Sequence, residues 1–435
     1  LSLHDALPIC LLAFGVQSTP VIRRASRYGD LSYGLYLWAF PVQQTIVHYF
    51  GVLPWGADVV KIEWPERFDV IRFETTPPAD IEVSSDHAME VSGFFNDLNA
   101  NKSSLTLNMR DDAGRELFER LLSVCDVVVE NFSPAAMEKW GYDYGAMERI
   151  NPRLIYCSIT GFGQTGPYAA RAGYDFLMQG MGGLMSLTGR PDGSPGEGPI
   201  KVGVALTDVM TGLYSSVAVL AALAHRERSG QGQHIDLALL DVQIACLANQ
   251  AANYLIGGNV PRRMGNAHPS IVPYQDFPTA DGYMIIAVGN DSQFSSLCAG
   301  LGRPEWASDA RFVSNPQRVL HRDELVALLH TVTVTRTTAQ WVAMLEERGV
   351  PCGPINRMDQ VFADPHVQSR AMRMEMAHPV AGKVPLVANP IRMSETPVQY
   401  RNAPPTLGEH TETVLDEWLG LNAEQIAALR ESNVV

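Results

Sequence analysis

Short apolar strands that alternate with helical segments constrain the fold of this chain more than any other feature of its sequence. Runs that are typical of buried strands, rich in β-branched and other apolar residues, lie at 57–63, 104–108, 126–131, 154–159 and 234–238. A helical pattern follows the second run, and Asp111 is its expected N-cap. The alternation predicts an α/β fold with a doubly wound parallel sheet. In such a sheet, ligands bind beyond the carboxyl ends of the strands.

A change of composition near residue 259 marks a second, smaller domain. The stretch 259–273 is polar and contains proline and glycine, and a new strand-like run follows at 282–288. A connector with two prolines, at 349–355, closes this region. A chain of 435 residues commonly folds into two domains. We therefore expect a smaller α/β domain between these limits.

The composition excludes several classes of protein. The formal net charge of −14 leaves no overall basic surface for nucleic acid, so no nucleic-acid partner is expected. The six cysteines are scattered without a CxxC pair, which argues against a zinc site or a disulfide framework and is typical of a reducing compartment. We expect an acidic, cytoplasmic enzyme without a metal site.

One carboxylate is the candidate nucleophile of the chain. The strand-like run 154–159 leads into a glycine-rich loop that contains Gly161 and Phe162, and this loop ends at Tyr174 and Asp175 before an apolar helical run. A carboxylate at a helix start is stabilised by free backbone N–H groups and stays ionised. With no paired acid, histidine or metal-ligand motif nearby, such a group suits attack on an activated acyl group. The alternative interpretation of Asp175 is an ordinary helix N-cap.

Residues 1–55 differ from the rest of the sequence. No Asp, Glu, Lys or Arg occurs at 31–57, and roughly 20 apolar residues are enough to span a bilayer. The stretch 29–38 resembles a membrane segment of the polytopic acyltransferases that modify surface sugars, and 1–9 resembles translated sequencing-adapter material. We interpret 1–55 as a foreign or artefactual segment and leave it out of the functional analysis. A genuine membrane anchor is the alternative, and a membrane is a partner only in that case.

From residue 56 to 435 the sequence resembles the class III CoA-transferases, the CaiB/BaiF or formyl-CoA transferase family. The motifs that carry this resemblance lie at 56–63, 101–105, 130–132, 173–175, 230–233 and 349–354. The resemblance implies a two-domain fold whose C-terminal part returns to the first domain. The large, CoA-binding domain would then comprise 56–258 and 355–435, and the small domain 259–354. It also implies a homodimer of two interlocked subunits.

The resemblance further implies a mechanism and a set of CoA contacts. The family aspartate that matches Asp175 attacks an acyl-CoA thioester, and the reaction passes through aspartyl mixed anhydrides and an aspartyl-CoA thioester. Coenzyme A and acyl-CoA are substrates, and no permanently bound cofactor is implied. Arg72 and Lys102 are candidate partners of the CoA phosphates, and ordinary solvated surface charge is their alternative. Asn131 and Phe132 are candidates to contact the nucleotide or pantetheine region, and could equally be turn and core residues. Gly161, Phe162 and Tyr174 complete the candidate CoA-binding residues, and Tyr174 could instead only pack beside the nucleophile.

The loop at 263–274 suggests the class of acceptor. It lacks the glycine run that covers the nucleophile in formyl-CoA transferase, and it resembles the loop of the succinyl-CoA-dependent hydroxymethylglutarate or glutarate transferases. Arg263, Asn266 and His268 are therefore candidates to bind the second carboxylate of a dicarboxylic acid. For His268, a loop residue that bonds to backbone is the alternative. Succinyl-CoA is the donor that this resemblance favours.

Two alternatives to a working transferase remain. The α-methylacyl-CoA racemases share the fold and carry a histidine base where this chain has Tyr174. An unperturbed tyrosine has a pKa of about 10 and is a poor base at neutral pH. Asp208 matches the second base of the racemases, and we interpret it as structural. The other alternative is a non-functional chimeric product.

Overall fold

A computed structural model of the chain describes residues 10–14, 58–65, 72, 92–133 and 135–435. The strands are β1 (Cys10–Phe14), β2 (Asp58–Glu63), β3 (Lys102–Thr106), β4 (Val127–Glu130), β5 (Ile155–Thr160), β6 (Gly189–Arg190), β7 (Gly198–Pro199), β8 (Gln233–Ala238), β9 (Tyr274–Pro278), β10 (Tyr283–Ala287), β11 (Cys352–Pro354), β12 (Arg373–His378) and β13 (Gly382–Val387).

The helices of the described residues are α1 (Gly93–Asn99), α2 (Asp112–Val124), α3 (Ala136–Lys139), α4 (Tyr144–Ile150), α5 (Asp175–Met181), α6 (Leu184–Leu187), α7 (Leu206–Ser229), α8 (Leu239–Ala245), α9 (Ala248–Gly257), α10 (Asp291–Gly300), α11 (Asn315–Leu320), α12 (Arg322–Thr333), α13 (Thr338–Glu346), α14 (Met358–Ala363), α15 (Pro365–Ser369), α16 (Thr411–Leu419) and α17 (Ala423–Glu431). A 3-10 helix spans Pro304–Ser308.

A six-stranded parallel sheet forms the centre of the larger part of the chain. Its order is β3-β2-β1-β4-β5-β8, and every neighbouring pair is parallel. One face packs on α2, α16 and α17 through Phe118, Leu415 and Ile426. The other face packs on α5, α7 and α8 through Met178, Val219 and Leu239. Helices on both faces confirm the predicted doubly wound arrangement.

The strand β1 occupies a central position in this sheet. Leu12 pairs in register with Val60 of β2 and with Val128 of β4. Its sequence, Cys-Leu-Leu-Ala-Phe, has the apolar character of a strand between two parallel neighbours. The structure thus gives these five residues a place in the fold that the interpretation of 1–55 as a foreign segment did not expect. The stretch 31–57, with the predicted membrane segment, lies outside the described residues.

The chain divides into two compact units. The larger comprises the described residues up to Leu184 together with Val202–Gly257 and Arg370–Val435, and the smaller comprises Met185–Lys201 and Gly258–Ser369. The smaller unit therefore includes two stretches that the sequence analysis placed in the large domain. The first carries the β6–β7 hairpin. The Gly265 amide donates to the Gly189 carbonyl at 3.1 Å, and this bond attaches the hairpin to the rest of the smaller unit. The second, 355–369, carries α14 and α15.

The smaller unit has a core of its own. Its three-stranded antiparallel sheet has the order β11-β10-β9. Phe277 and Ile286 of this sheet pack with Phe294 of α10, Leu329 of α12 and Trp341 of α13. Burial of these side chains away from water holds sheet and helices together.

The long helix α7 has an apolar composition. Among the described residues it is the one helix whose length and composition match those of a membrane-crossing helix, and half of its most apolar stretch is buried. Val219, Ala222 and Leu223 contribute to the core beneath the sheet. The N-terminal end of the helix, at Thr207 and Asp208, reaches the candidate nucleophile.

Candidate active site

Asp175 is the first residue of α5, and its side chain is held from two directions. Its residue is 8% exposed. Oδ1 accepts a hydrogen bond from the Thr207 amide at 2.8 Å, and Oδ2 accepts one from Gln179 Nε2 at 2.7 Å. The N-cap position is filled by Tyr174, which makes no side-chain capping bond. The N-cap alternative for Asp175 is therefore wrong, because its oxygens bind other donors.

The donors to Asp175 are themselves fixed by buried partners. Gln179 Oε1 accepts from the Val202 amide at 2.9 Å, which orients the side-chain amide so that Nε2 points to Asp175. Thr207 Oγ1 donates to Gln243 Oε1 at 2.7 Å, and both residues are buried. The candidate nucleophile is thus positioned by α5, α7 and α8 together. The sequence analysis did not identify Gln179, Thr207 or Gln243. The signal available for Gln179 was its position four residues after Asp175, which places both on the same face of a helix.

The glycine-rich loop closes on itself just before Asp175. A Cβ on Gly161 would lie 2.2 Å from the Gly173 Cα, and a Cβ on Gly173 would lie 2.1 Å from the Gly161 Cα. Backbone therefore packs directly on backbone where the loop leaves β5 and where it reaches α5. Within the loop, Phe162 packs edge-on against Tyr168 at 5.4 Å, and the Arg171 guanidinium lies over both rings. The loop thus has a defined shape that presents Asp175.

Replacing Gly161 with alanine is expected to lower kcat/KM for CoA transfer by about 100-fold, because the backbone near Asp175 must shift by the order of an ångström. Steady-state kinetics, with thermal unfolding to monitor folding, would measure this. Gly282→Ala is the matched control, since a Cβ at Gly282 meets nothing within 4 Å. Unchanged kinetics in Gly161→Ala would show that the glycine contact does not position the nucleophile.

Asn131 and Phe132 follow β4 at the carboxyl end of the sheet, where ligands were expected. Phe132 is buried and packs edge-on against Trp140 at 5.2 Å. Its amide donates to Glu130 Oε2 at 2.8 Å, and Tyr156 donates to Glu130 Oε1 at 2.8 Å. Burial raises the pKa of Glu130 to about 7. Phe132 is therefore a core residue, and contact of Asn131 or Phe132 with CoA stays a prediction.

Arg72 and Lys102 are buried, so the alternative interpretation of them as solvated surface charges is wrong. Arg72 Nε and Nη2 donate to the two Glu63 carboxylate oxygens at 3.1 and 2.9 Å, and its guanidinium stacks on Phe95 at 3.8 Å. Lys102 Nζ donates to Asn99 Oδ1 at 2.9 Å. Both residues are only 1% exposed, and contact of either with a CoA phosphate stays a prediction.

The three candidates for the second carboxylate belong to the smaller unit, whereas Asp175 belongs to the larger. Arg263 pairs with Asp192 and donates through Nε to the Arg190 carbonyl at 3.2 Å, so it ties the β6–β7 hairpin to the loop. Asn266 Nδ2 donates to Asp276 Oδ1 at 3.0 Å.

His268 bonds to backbone, as its alternative interpretation predicted. Its Nδ1 accepts from the Ser270 amide at 3.1 Å, and its ring lies 5.3 Å from that of Tyr274. Contact of His268 with a substrate stays a prediction. Among the described residues, no group of three or more His, Cys, Asp or Glu side chains is arranged to hold a metal ion.

The comparison with known families decides what kind of protein carries this site. The family model described as CoA-transferase family III matches residues 54–411. The chain belongs to CoA-transferase family III. This membership confirms the resemblance seen in the sequence, and the chain is a CoA-transferase.

Individual relatives of this CoA-transferase agree with the assignment. It is 47% identical over 362 residues to the succinate–glutarate CoA-transferase of Agrobacterium fabrum, which covers 83% of this chain and 89% of the relative. It is 40% identical to the succinyl-CoA:glutarate CoA-transferase of Homo sapiens, over 87% of this chain and 84% of the relative. Among solved structures, a CAIB/BAIF family protein from Brucella suis is 42% identical, with a TM-score of 0.78 over 94% of this chain and 98% of that one.

Proposed function

We propose that this CoA-transferase moves CoA from succinyl-CoA to a second dicarboxylate, with Asp175 as the covalent nucleophile. The observation that carries the proposal is the buried Asp175 carboxylate, whose two oxygens each accept one hydrogen bond at the start of α5. The names of the relatives, which act between succinyl-CoA and glutarate, support the substrate class.

In each step of the proposed reaction, one acyl C–S or C–O bond forms as another breaks. The Asp175 carboxylate attacks the thioester carbonyl of succinyl-CoA, which forms a mixed anhydride and releases the CoA thiolate. The thiolate then attacks the Asp175 carbonyl, so succinate leaves and an aspartyl-CoA thioester remains. The acceptor carboxylate attacks that thioester and forms a second anhydride, and the thiolate finally attacks the acceptor's acyl carbon. Asp175 is thereby regenerated as a carboxylate.

The hydrogen bonds around Asp175 have a separate role in each stage of this proposal. In the resting state the Thr207 amide and Gln179 Nε2 fix the carboxylate for attack. During attack on the aspartyl carbonyl, negative charge develops on an Asp175 oxygen. A fixed N–H donor that already points at this position stabilises that charge without reorganisation. Burial of the site keeps water away from intermediates that hydrolyse readily.

A pair of acceptors that differ by one carboxylate tests the substrate class. We expect glutarate to be used with a kcat/KM at least about 100-fold above that of pentanoate, because a site built to bind the second carboxylate rejects an analogue without it. The assay follows formation of the new acyl-CoA from succinyl-CoA. Equal use of the two acceptors would contradict a dicarboxylate site.

Chemical trapping tests the nucleophile directly. The protein is incubated with succinyl-CoA and quenched with hydroxylamine or borohydride, and the modified peptide is mapped by mass spectrometry. We expect the label on the peptide that contains Asp175 and no label in Asp175→Ala. A label on another residue, or none in a folded protein, would overturn the covalent mechanism.

We also propose that two copies of the chain form the interlocked homodimer that the resemblance implies. The outer faces of α7 and α9 expose large apolar side chains, namely Val217, Leu220, Tyr254, Leu255 and Ile256. Exposed large apolar side chains on these two helices are consistent with a protein interface. Light scattering after size-exclusion chromatography should give the mass of two chains. We place the enzyme in the cytoplasm, which is consistent with the free cysteines among the described residues.

A further inference from the structure

Asp208 is a buried carboxyl group next to the machinery that holds Asp175. It follows Thr207, whose amide donates to Asp175 Oδ1 at 2.8 Å, in the first turn of α7. Its residue is 0% exposed. Neither of its carboxyl oxygens has a hydrogen-bond partner among the described residues. The two aspartates therefore differ sharply, since both oxygens of Asp175 accept hydrogen bonds.

The surroundings of Asp208 favour the neutral acid. An ionised carboxylate that is removed from water and accepts no hydrogen bond is strongly destabilised. Burial first, and the nearby Asp175 carboxylate second, raise the pKa of Asp208 well above its ordinary value. Within the part of the chain that the structure describes, Asp175 is the charged group that acts on Asp208. Thr207 and Thr211 of α7 and Gln243 of α8, which are hydrogen-bonded to one another through Thr207, are neutral.

We propose that Asp208 is a positioning residue that stays protonated beside Asp175, so that the pair carries a single negative charge and that charge lies on Asp175. The inference rests on the proposed function of Asp175. The donors explain the division of roles, because hydrogen bonds stabilise the charge on Asp175 and none from the described residues does so on Asp208.

A neutral Asp208 matters most after Asp175 has reacted. In the anhydride and the thioester, Asp175 carries no charge, and the groups that must then attack its carbonyl are anions, the CoA thiolate and the acceptor carboxylate. An ionised Asp208 in this buried environment would repel both of them. The protonated acid leaves the site without that repulsion. Its effect on catalysis is therefore electrostatic, and Asp208 itself does not touch the substrate.

Infrared spectroscopy of the full-length protein tests the protonation without any assay of activity. A protonated carboxyl group has a carbonyl stretch that an ionised one lacks. Glu130, whose pKa burial raises to about 7, also contributes a band of this kind at neutral pH, so the test uses difference spectra. We expect a carbonyl band in the wild type minus Asp208→Asn, and the same band in Asp175→Asn minus the double variant that also carries Asp208→Asn. In the Asp175→Asn background this band should disappear at a lower pH, because the repelling charge is gone. Absence of the band from the first difference spectrum would overturn the proposal.

Stability as a function of pH gives a second test with a definite sign. An aspartate in the unfolded chain loses its proton at about pH 3.9, whereas folded Asp208 keeps its proton to higher pH. Between the pKa of the unfolded chain and that of folded Asp208, the folded state binds one proton more than the unfolded state. The contribution of Asp208 to the free energy of unfolding therefore falls as the pH rises. The folded-to-unfolded ratio of the wild type should fall about tenfold per pH unit relative to Asp208→Asn, until folded Asp208 ionises.

The exposed Asp241 of α8 provides the matched control: Asp241→Asn keeps Asp208, so its folded-to-unfolded ratio should fall with pH in parallel with that of the wild type. The pH profile of kcat/KM completes the test: the alkaline decline that ionisation of Asp208 produces in the wild type should be absent in Asp208→Asn. A parallel pH dependence of stability in the wild type and Asp208→Asn would contradict a protonated Asp208. The two proposals can be told apart. If Asp208 is not protonated, trapping should still label Asp175; if trapping fails, Asp175 is not the nucleophile, but the infrared band of Asp208 should remain.

Discussion

Asp175→Ala is expected to lose CoA transfer by on the order of 10⁴-fold or more while the protein stays folded. The substitution removes the group that we propose forms every covalent intermediate. It also removes the acceptor for the Thr207 amide and for Gln179 Nε2. The measurement is the rate of acyl-CoA formation from succinyl-CoA and glutarate, with circular dichroism to confirm the fold.

Asp175→Asn is the isosteric companion of this variant. Its amide nitrogen would face a donor, because Gln179 is fixed in its orientation by the bond from the Val202 amide to Oε1. We therefore expect it to be as inactive as Asp175→Ala and somewhat less well ordered around α5. Activity within tenfold of the wild type in either variant would show that Asp175 is not the nucleophile.

The largest expected effect on stability is that of Arg72→Ala, about 3–5 kcal/mol in the free energy of unfolding. This substitution leaves the buried Glu63 carboxylate with a hydrogen bond from Ser104 Oγ at 3.2 Å but without its guanidinium. It also removes the stacking on Phe95. Chemical denaturation measures the change, with the slope against denaturant checked for two-state behaviour.

The exposed pair of Arg357 and Asp359 is the matched control for Arg72. Its atoms approach to 2.6 Å, closer than the 2.9 Å of the buried pair, yet both side chains are mostly exposed. Because solvent screens such a pair, Arg357→Ala should leave stability unchanged. If Arg72→Ala instead raised the KM for acyl-CoA without loss of stability, Arg72 would be a phosphate ligand, as the resemblance first suggested.

The parallel sheet could be predicted because its strands are local, apolar and bounded by turns. The predicted runs at 126–131 and 154–159 correspond to β4 (Val127–Glu130) and β5 (Ile155–Thr160) within a residue at each end. The strand β1 was missed because its five residues lie in the segment 1–55, which the sequence analysis interpreted as foreign. Its position in the sheet is evident only from its pairing with β2 and β4.

The position of Asp175 at a helix start could be predicted, whereas its surroundings could not. Asp175 ends a glycine-rich loop and begins a helix, and both features are local. Its partner Thr207 is 32 residues away, and Thr207 in turn binds Gln243, another 36 residues along. Contacts over such separations follow from packing rather than spacing. The same holds for Arg72, whose charge suggested a surface residue until Glu63 and Phe95 were seen to enclose it.

The C-terminal segment of the larger unit has a consequence for biosynthesis. Val414, Leu415, Ile426 and Val434 complete the core on one face of the parallel sheet, and the His410 amide donates to the Ser104 carbonyl at 3.0 Å. These two residues are 306 positions apart. A nascent chain on the ribosome therefore exposes one apolar face of its sheet until nearly all of its codons have been read. During that interval, chaperones that shield apolar surface are the natural protection of the growing polypeptide.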